Sequence, residues 1–391
     1  HWQRYGLWRF NSRQVQRRVY IREFFLMSTL EVKKLTDRVG TGKPNFSLGL
    51  NVSGSDSGIS PPTRTEGNTE PSSPANGDTW YDTDNDTYDV YMNNEWQRFI
   101  GSGGSNSIAW AGDRGIFAGF STSDNTINYF DITTAGNATD FGDLSASGYY
   151  NYACSDSTRA LIASVGGATV TIDYITTATP SNSSDFGDLT VYRNRGAACS
   201  DGTYGVFGGG YGSSASNVID YVTIQTTGDA SDFGNLTTSS YTLAACSDAT
   251  RGIFAGGVGL GAAIDYITIA TPSNASDFGD LLASVSQFSG FSDATRGVFG
   301  GGYASSANSN VIQYITIATA GNSTDFGDLS AGARRGGACS NATRGIFHLC
   351  SGGSSANNLD YITIQTLGNS ADFGDLTIAG QYTAGTSGSA A

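Results

Sequence analysis

Short apolar runs alternate with polar turns along most of this chain, and the alternation keeps a fixed phase. One run, RGIFAGG, is a brief apolar stretch ended by glycine. It appears as RGIFAGF from Arg114, RALIASV from Arg159, YGVFGGG from Tyr204, RGIFAGG from Arg251, RGVFGGG from Arg296 and RGIFHLC from Arg344. A second run, IDYITIAT, alternates apolar and polar residues as a half-buried strand does. Its tyrosine falls at Tyr129, Tyr174, Tyr221, Tyr266, Tyr314 and Tyr361. A third marker, Asp-Phe-Gly-(Asp/Asn)-Leu, starts at Asp140, Asp185, Asp232, Asp277, Asp325 and Asp372, with successive phenylalanines 45, 47, 45, 48 and 47 residues apart. Three markers in one order, six times over, are an internal duplication.

Each unit predicts three strands and a short fourth, the last running through AACSDATR into the next unit. The GNASDFGDL stretch reads as a turn that points Phe and Leu inward. A four-stranded unit of this length cannot bury both faces alone, whereas a ring of such units can. The predicted fold is therefore all-β: a six-bladed β-propeller of four-stranded blades over residues 105–391. LTIAGQYTAGTSG at 376–388 and NSIAWAGD at 106–113 both match the strand that precedes an RGIF run, so either end could close the ring.

The front of the chain is different. Residues 1–43 form a basic, extended N-terminal segment holding 10 of the 21 Lys and Arg. Its first 26 residues read either as an amphipathic interfacial helix or, the favoured reading, as translation upstream of a native start at Met27. They lack the apolar core and cleavage site of a signal peptide. Residues 44–74, rich in Gly, Ser, Pro and Thr, read as a flexible linker. Residues 75–104 carry Trp80, Tyr81, Tyr88, Tyr91, Trp96 and Phe99 and predict a small β-hairpin module with Asn94 in a turn.

Charge narrows the function. The net charge is -14, and from Gly101 onward there are 9 Arg, no Lys, 23 Asp and no Glu. An anionic propeller is a poor nucleic-acid ligand. No apolar run is long enough for a transmembrane helix.

Candidate chemistry is sparse. Asp82, Asp84, Asp86 and Asp89 resemble a calcium loop, but Thr87 and Asn93 stand where such a loop needs Gly and Glu, so a polar turn is favoured. The only histidines are His1 and His348, too few for a zinc cluster or a Ser-His-Asp arrangement. The paired Asp of DFGDL could suggest glycoside cleavage. A catalytic pair is made once, however, whereas a turn-capping Asp is needed in every blade. Cys154, Cys199, Cys246 and Cys339 share one place in their units, taken by Phe291 in another, which predicts a buried apolar slot holding free thiols. Cys350 has no assigned role. The sequons at Asn137, Asn182, Asn274, Asn322 and Asn341 fall mostly in the repeated turn, where Asn suits the backbone, and no glycan is assigned. No catalytic residue and no cofactor is expected.

The units at 108–388 resemble kelch-type propeller repeats: a Gly-Gly strand end, a Tyr-containing strand, then an aromatic and Leu. They depart from kelch in placing Phe186 and its equivalents where Trp is usual, and in IDY order rather than Tyr-Asp. LEVKKLTDRVGTGKPNFSLGL at 30–50 and NGDTWYDTDNDTYDVYMNNEWQRFIG at 76–101 resemble segments of tail fibres of marine tailed bacteriophages. That resemblance implies a non-enzymatic virion fibre or appendage protein. Its N-terminus would attach to virion proteins, its propeller would face outward toward a host-surface glycan or protein, and it could be a homotrimer. A scaffold or decoration subunit without a receptor is the alternative, and a glycan-degrading enzyme a weaker one. Aromatic residues gathered in the variable loops between RGIFAGG and IDYITIAT would favour the receptor-binding reading. Those loops are poor in aromatics and lean toward the scaffold.

Overall fold

The computed structural model describes residues 111–350 and 356–390, and before them the backbone of six short strands. The chain divides into two compact units, residues 1–105 and 106–391. In the first, Gly6–Trp8 pairs with Val19–Ile21. Thr79–Asp82, Thr87–Met92 and Glu95–Arg98 form an antiparallel meander, and Asn94, expected in a turn, lies outside the described residues. Arg64–Gly67, inside the stretch expected to be linker, runs parallel to Thr79–Asp82. Four residues amid Gly, Ser and Pro are too few for alternation to show. Asp84 and Asp86 lie outside the described residues, and Asp82 and Asp89 belong to paired strands.

The second unit is a closed six-bladed propeller of four-stranded antiparallel blades. Blade 2 is representative: Tyr152–Ser155 is innermost, followed outward by Arg159–Ala163, Thr169–Thr176 and Ser184–Arg193. The innermost strands of blades 3 to 6 are Ala197–Ser200, Ala244–Ser247, Ser289–Ser292 and Ala338–Ser340. The C-terminal strand Ala384–Gly388 pairs with Arg114–Ala118 and so becomes the innermost strand of blade 1. This settles which end closes the ring. Both ends of the propeller region then lie in one sheet, so unravelling either one must break a full strand ladder.

The DFGDL motif is a strand, not the turn expected from its glycine. Each copy is the outermost strand, and a register shift opposite it marks a bulge. The motif glycines have φ of 142 to 149°. Side chains rarely adopt that region, and space forbids one as well: a Cβ at Gly279 would lie 2.5 Å from the backbone of Gly321 in the next blade. The inward direction of Phe and Leu is as read. Phe141, Phe186, Phe233, Phe278, Phe326 and Phe373 are all buried, each in a hydrophobic cluster shared by two successive blades.

Polar residues join the same interfaces. The turn before each DFGDL offers Asn137, Asn182, Asp229, Asn274, Asn322 or Asn369, whose side-chain oxygen accepts a backbone N–H from the preceding blade's motif at 3.0–3.1 Å. The repeated Asn is thus needed as an acceptor across the interface. The arginine of five RGIF runs does similar work. Arg114, Arg159, Arg251, Arg296 and Arg344 each lie over the tyrosine ring of their own blade and donate to a carbonyl of the next. In blade 3 the equivalent Tyr204 packs edge-on against Tyr221 instead.

Candidate functional site

The innermost strands surround an axial channel whose two ends are built from the same six short segments. At one end stand Ser155, Ser200, Ser247, Ser292, Ser340 and Ser387. Each hydroxyl donates to the backbone carbonyl of the serine before it, at 2.5–2.8 Å, and Ser155 donates to Ser387, so the circuit is complete. One residue nearer the middle of each strand lies the cysteine slot. The slot works because the neighbouring blade supplies glycine: a Cβ at Gly205 would lie 2.9 Å from the Cys154 sulfur, and one at Gly345 only 1.9 Å from Phe291. All five cysteines are buried and free. Burial raises the pKa of the four slot thiols well above the ordinary cysteine value. These are inert core groups.

At the other end, four residues before each cysteine or its counterpart, stand Tyr150, Arg195, Thr242, Gln287, Arg335 and Tyr382. All six have left-handed backbones, with φ between 56 and 71°. The amide of each donates to the carbonyl of the one before, at 2.7–3.2 Å for five of the bonds; the sixth joins Tyr382 N–H to the Arg335 carbonyl. Left-handed positions favour glycine, and the chain has 53 glycines. Here it uses none.

The side chains on this ring gather into a stack. The Arg335 guanidinium carbon is 4.6 Å from the Tyr382 ring centre, the Tyr382 and Tyr150 centres are 3.8 Å apart, and Arg195 is 4.1 Å from Tyr150. Tyr149 lies against both tyrosines at 4.3 and 5.6 Å. Arg195 also faces Tyr211 and Tyr241 at 5.7 and 6.0 Å, so three rings surround it. Burial, followed by the hydrogen bond to Tyr150 and its proximity, pushes the Tyr382 hydroxyl above the usual tyrosine range. Below the stack the wall is made of small residues such as Ala153, Ala198, Ala245 and Gly385, around a cavity of about 120 Å³. That is room for a few waters only, well under a typical small-molecule pocket. A ligand of any size would lie across the mouth.

The variable loops between the second and third strands reach this same face. Tyr211 bridges Asn194, Val258 bridges Tyr241 and Tyr303 bridges Ser286, each pairing a variable loop with the junction that leads into an innermost strand. The mouth residues themselves come from the junctions, and only Tyr211 and Tyr303 come from the variable loops. The sequence carries this mouth as a single column, Tyr-Arg-Thr-Gln-Arg-Tyr, in front of six otherwise regular strands rather than as aromatics of the variable loops.

The other candidates fall elsewhere. Asp277 and Asp280 of DFGDL are exposed on the outer edge, and the backbone of Asp280, through its N–H to Asn322 and its carbonyl to Ser323, makes the turn contacts expected of its carboxylate. His348 is buried at the closing seam. Its Nε2–H donates to the Ala356 carbonyl at 2.8 Å, leaving Nδ1 to accept the Thr383 hydroxyl at 3.0 Å. Cys350 lies 3.5 Å from both ring nitrogens. Burial lowers the His348 pKa to about 4 and raises that of Cys350 to about 12, the opposite of a thiolate–imidazolium pair. Asn341 caps its own turn through Thr343 and Arg344. Among the described residues no group of His, Cys, Asp or Glu could hold a metal ion. No protein-family model matches the chain, and no curated protein is significantly similar to it.

Proposed function

We propose that the propeller is a binding module and that the stacked mouth of its axial channel is the binding surface. The observation that carries this reading is the left-handed ring. Six side chains are held where glycine would fit with less strain, and four of them form a continuous Arg–Tyr–Tyr–Arg stack on the face that also carries the variable loops. Half-buried tyrosine gives much contact area for little lost side-chain freedom, and arginine held against its ring is already ordered. Tyrosine offers an apolar face with a polar edge, which suits a saccharide. Among the described residues the cavity wall holds no carboxylate, imidazole or thiol, and the groups it does present are ones that bind.

In the wider setting, the protein is a virion fibre or appendage, attached to the particle through its N-terminal segment, with the propeller directed at a saccharide of the host surface. The tail-fibre resemblance of residues 30–50 and 76–101 supports this part. The test is binding of the full chain to a panel of surface oligosaccharides, with Tyr150→Ala and Tyr382→Ala beside it. At least one saccharide should bind the unaltered chain, and each variant should lose about tenfold or more. Binding untouched by both variants would overturn the mouth as the site. Absence of binding across the panel would leave the scaffold reading. Gold-labelled antibody against residues 105–391 should decorate intact particles; unlabelled particles would remove the virion assignment.

A further inference from the structure

The nine arginines from Gly101 onward are the only basic side chains of the propeller apart from histidine, and most are engaged by the blades themselves. Five hold carbonyls of the next blade, as described above. Arg193 is fully buried and pairs with Asp220 at 2.9 Å, while also donating to the carbonyls of Val218 and Phe207. Arg334 lies over the Tyr303 ring at 4.4 Å, and Arg195 and Arg335 stand on the mouth ring. Arg335 donates through Nε to Gln287 at 2.9 Å and through Nη1 to Gln381 at 3.1 Å, both neutral amide oxygens. Arg195 makes no side-chain hydrogen bond to a described residue, and its Nε is buried without an acceptor. Among the described residues no carboxylate lines the cavity, although 23 aspartates follow Gly101. Among the described residues, these two cations stand at the channel mouth in an aromatic setting with no carboxylate in contact, in the part of the chain richest in anions.

Their placement adds direction. The mouth ring runs Tyr382, Tyr150, Arg195, Thr242, Gln287, Arg335, so the two arginines stand three places apart in a ring of six. They face each other across the channel with the tyrosine pair between them on one side. A chain of sugars lying over the tyrosines would meet a guanidinium at either end. Partial burial strengthens a charge-assisted hydrogen bond there, because less water competes for the guanidinium.

Building on the saccharide-binding reading, we propose that the mouth selects an anionic oligosaccharide, one whose carboxylate or sulfate groups dock on Arg195 and Arg335. A neutral sugar would offer these guanidinium groups only hydroxyl oxygens, whereas an anionic oxygen makes the stronger charge-assisted bond.

The experiment is calorimetric titration of the full chain with two matched pairs. One pair is tetragalacturonate and its carboxyl-reduced form; the other is a sulfated galactan tetrasaccharide and its desulfated form. In at least one pair the charged member should bind about tenfold tighter or more than its neutral counterpart, and the pair that discriminates identifies the anion as carboxylate or sulfate. Arg195→Gln and Arg335→Gln should bring the charged ligand down to the level of the neutral one, and Arg195→Lys should keep part of the preference. If Arg335→Gln fails to fold, Arg195→Gln decides alone, since that side chain holds no hydrogen bond of the fold. Equal binding within both pairs, absence of binding by all four, or a preference that survives Arg195→Gln overturns the proposal. Equal binding that Tyr150→Ala abolishes would leave the saccharide reading standing without its charge selectivity. If none of the four binds and the wider panel is also silent, both readings fall.

Discussion

At one end of the axial channel all six blades present serine; at the other they present two tyrosines, two arginines, a threonine and a glutamine. The two ends lie only five residues apart on the same strands and share the same circular backbone plan. At the serine end the side chain itself closes the circuit, because each hydroxyl must reach the next carbonyl. At the mouth the backbone amides close it and the side chains are left over. Six-fold repetition therefore marks side chains that the ring consumes. Its absence at an equivalent position marks side chains released for another purpose. The Phe of DFGDL, the turn Asn and the RGIF Arg belong to the first class, and the mouth residues to the second.

The heaviest test of this division is Phe278→Ala. Phe278 is buried between blades 4 and 5 with Val285, Phe288 and Phe299. Removing the ring should cost about 3–5 kcal/mol, a large share of a typical net stability of about 5–15 kcal/mol. Denaturant unfolding would measure it, and saccharide affinity of the folded fraction should not change. A loss of affinity without a loss of stability would break the division.

His348 is an instructive exception, since it is not repeated and yet serves the fold. Equivalent places hold Ala118, Ala163, Gly208, Ala255 and Gly300; His348 occurs where the C-terminal strand enters blade 1, and its Nδ1 accepts from Thr383 beside that strand. Its pKa falls from 6.5 in the unfolded chain to about 4 in the fold, through burial. The unfolded chain binds the proton first, so this contribution is full above pH 6.5 and is lost as pH falls through 4. The loss should reach about 3 kcal/mol. Unfolding midpoints measured from pH 7.5 to 4 should slope downward, and His348→Gln should flatten that slope. An equal slope in the variant would show that another group carries the effect.

How much of this was legible beforehand follows the same division. The six-fold markers announced the blade number, the buried phenylalanines and the cysteine slot, because periodic demand leaves periodic residues. The closing strand was ambiguous: AGTSG at 384–388 has Gly385 and Thr386 where AACS has its second alanine and cysteine, so it looked little better than the match at 106–113. The mouth was missed for the converse reason. A column that differs in nearly every unit carries no periodic signal, and its meaning appears only when the ring brings residues 150 and 382 together. The buried Arg193–Asp220 pair was equally invisible, since Asp220 is one of the repeated IDY aspartates and Arg193 has no counterpart in the other units.

The finest test compares the two ends within one strand, through Ser247→Gly and Thr242→Gly. Ser247→Gly removes a hydroxyl that donates to the Ser200 carbonyl at 2.7 Å and leaves that buried acceptor short of a bond. It also adds backbone freedom to the unfolded chain. Together these should lower stability by about 1–2 kcal/mol. Thr242→Gly adds the same freedom, but at φ 56° it also relieves a left-handed threonine. That strain is worth about 1–2 kcal/mol, so the two effects should roughly cancel. Thr242 donates its hydroxyl only to the carbonyl of Tyr241, a bond that water can replace at a half-exposed position. Melting temperatures of the two variants beside the unaltered chain should therefore differ in kind: lower for Ser247→Gly, unchanged or higher for Thr242→Gly. Glycine at 242 would then be the more stable choice, and threonine would be held there by what the mouth binds. Equal destabilisation by both variants would mean that the mouth ring is as structural as the serine ring, and the reason for placing the binding surface there would be gone.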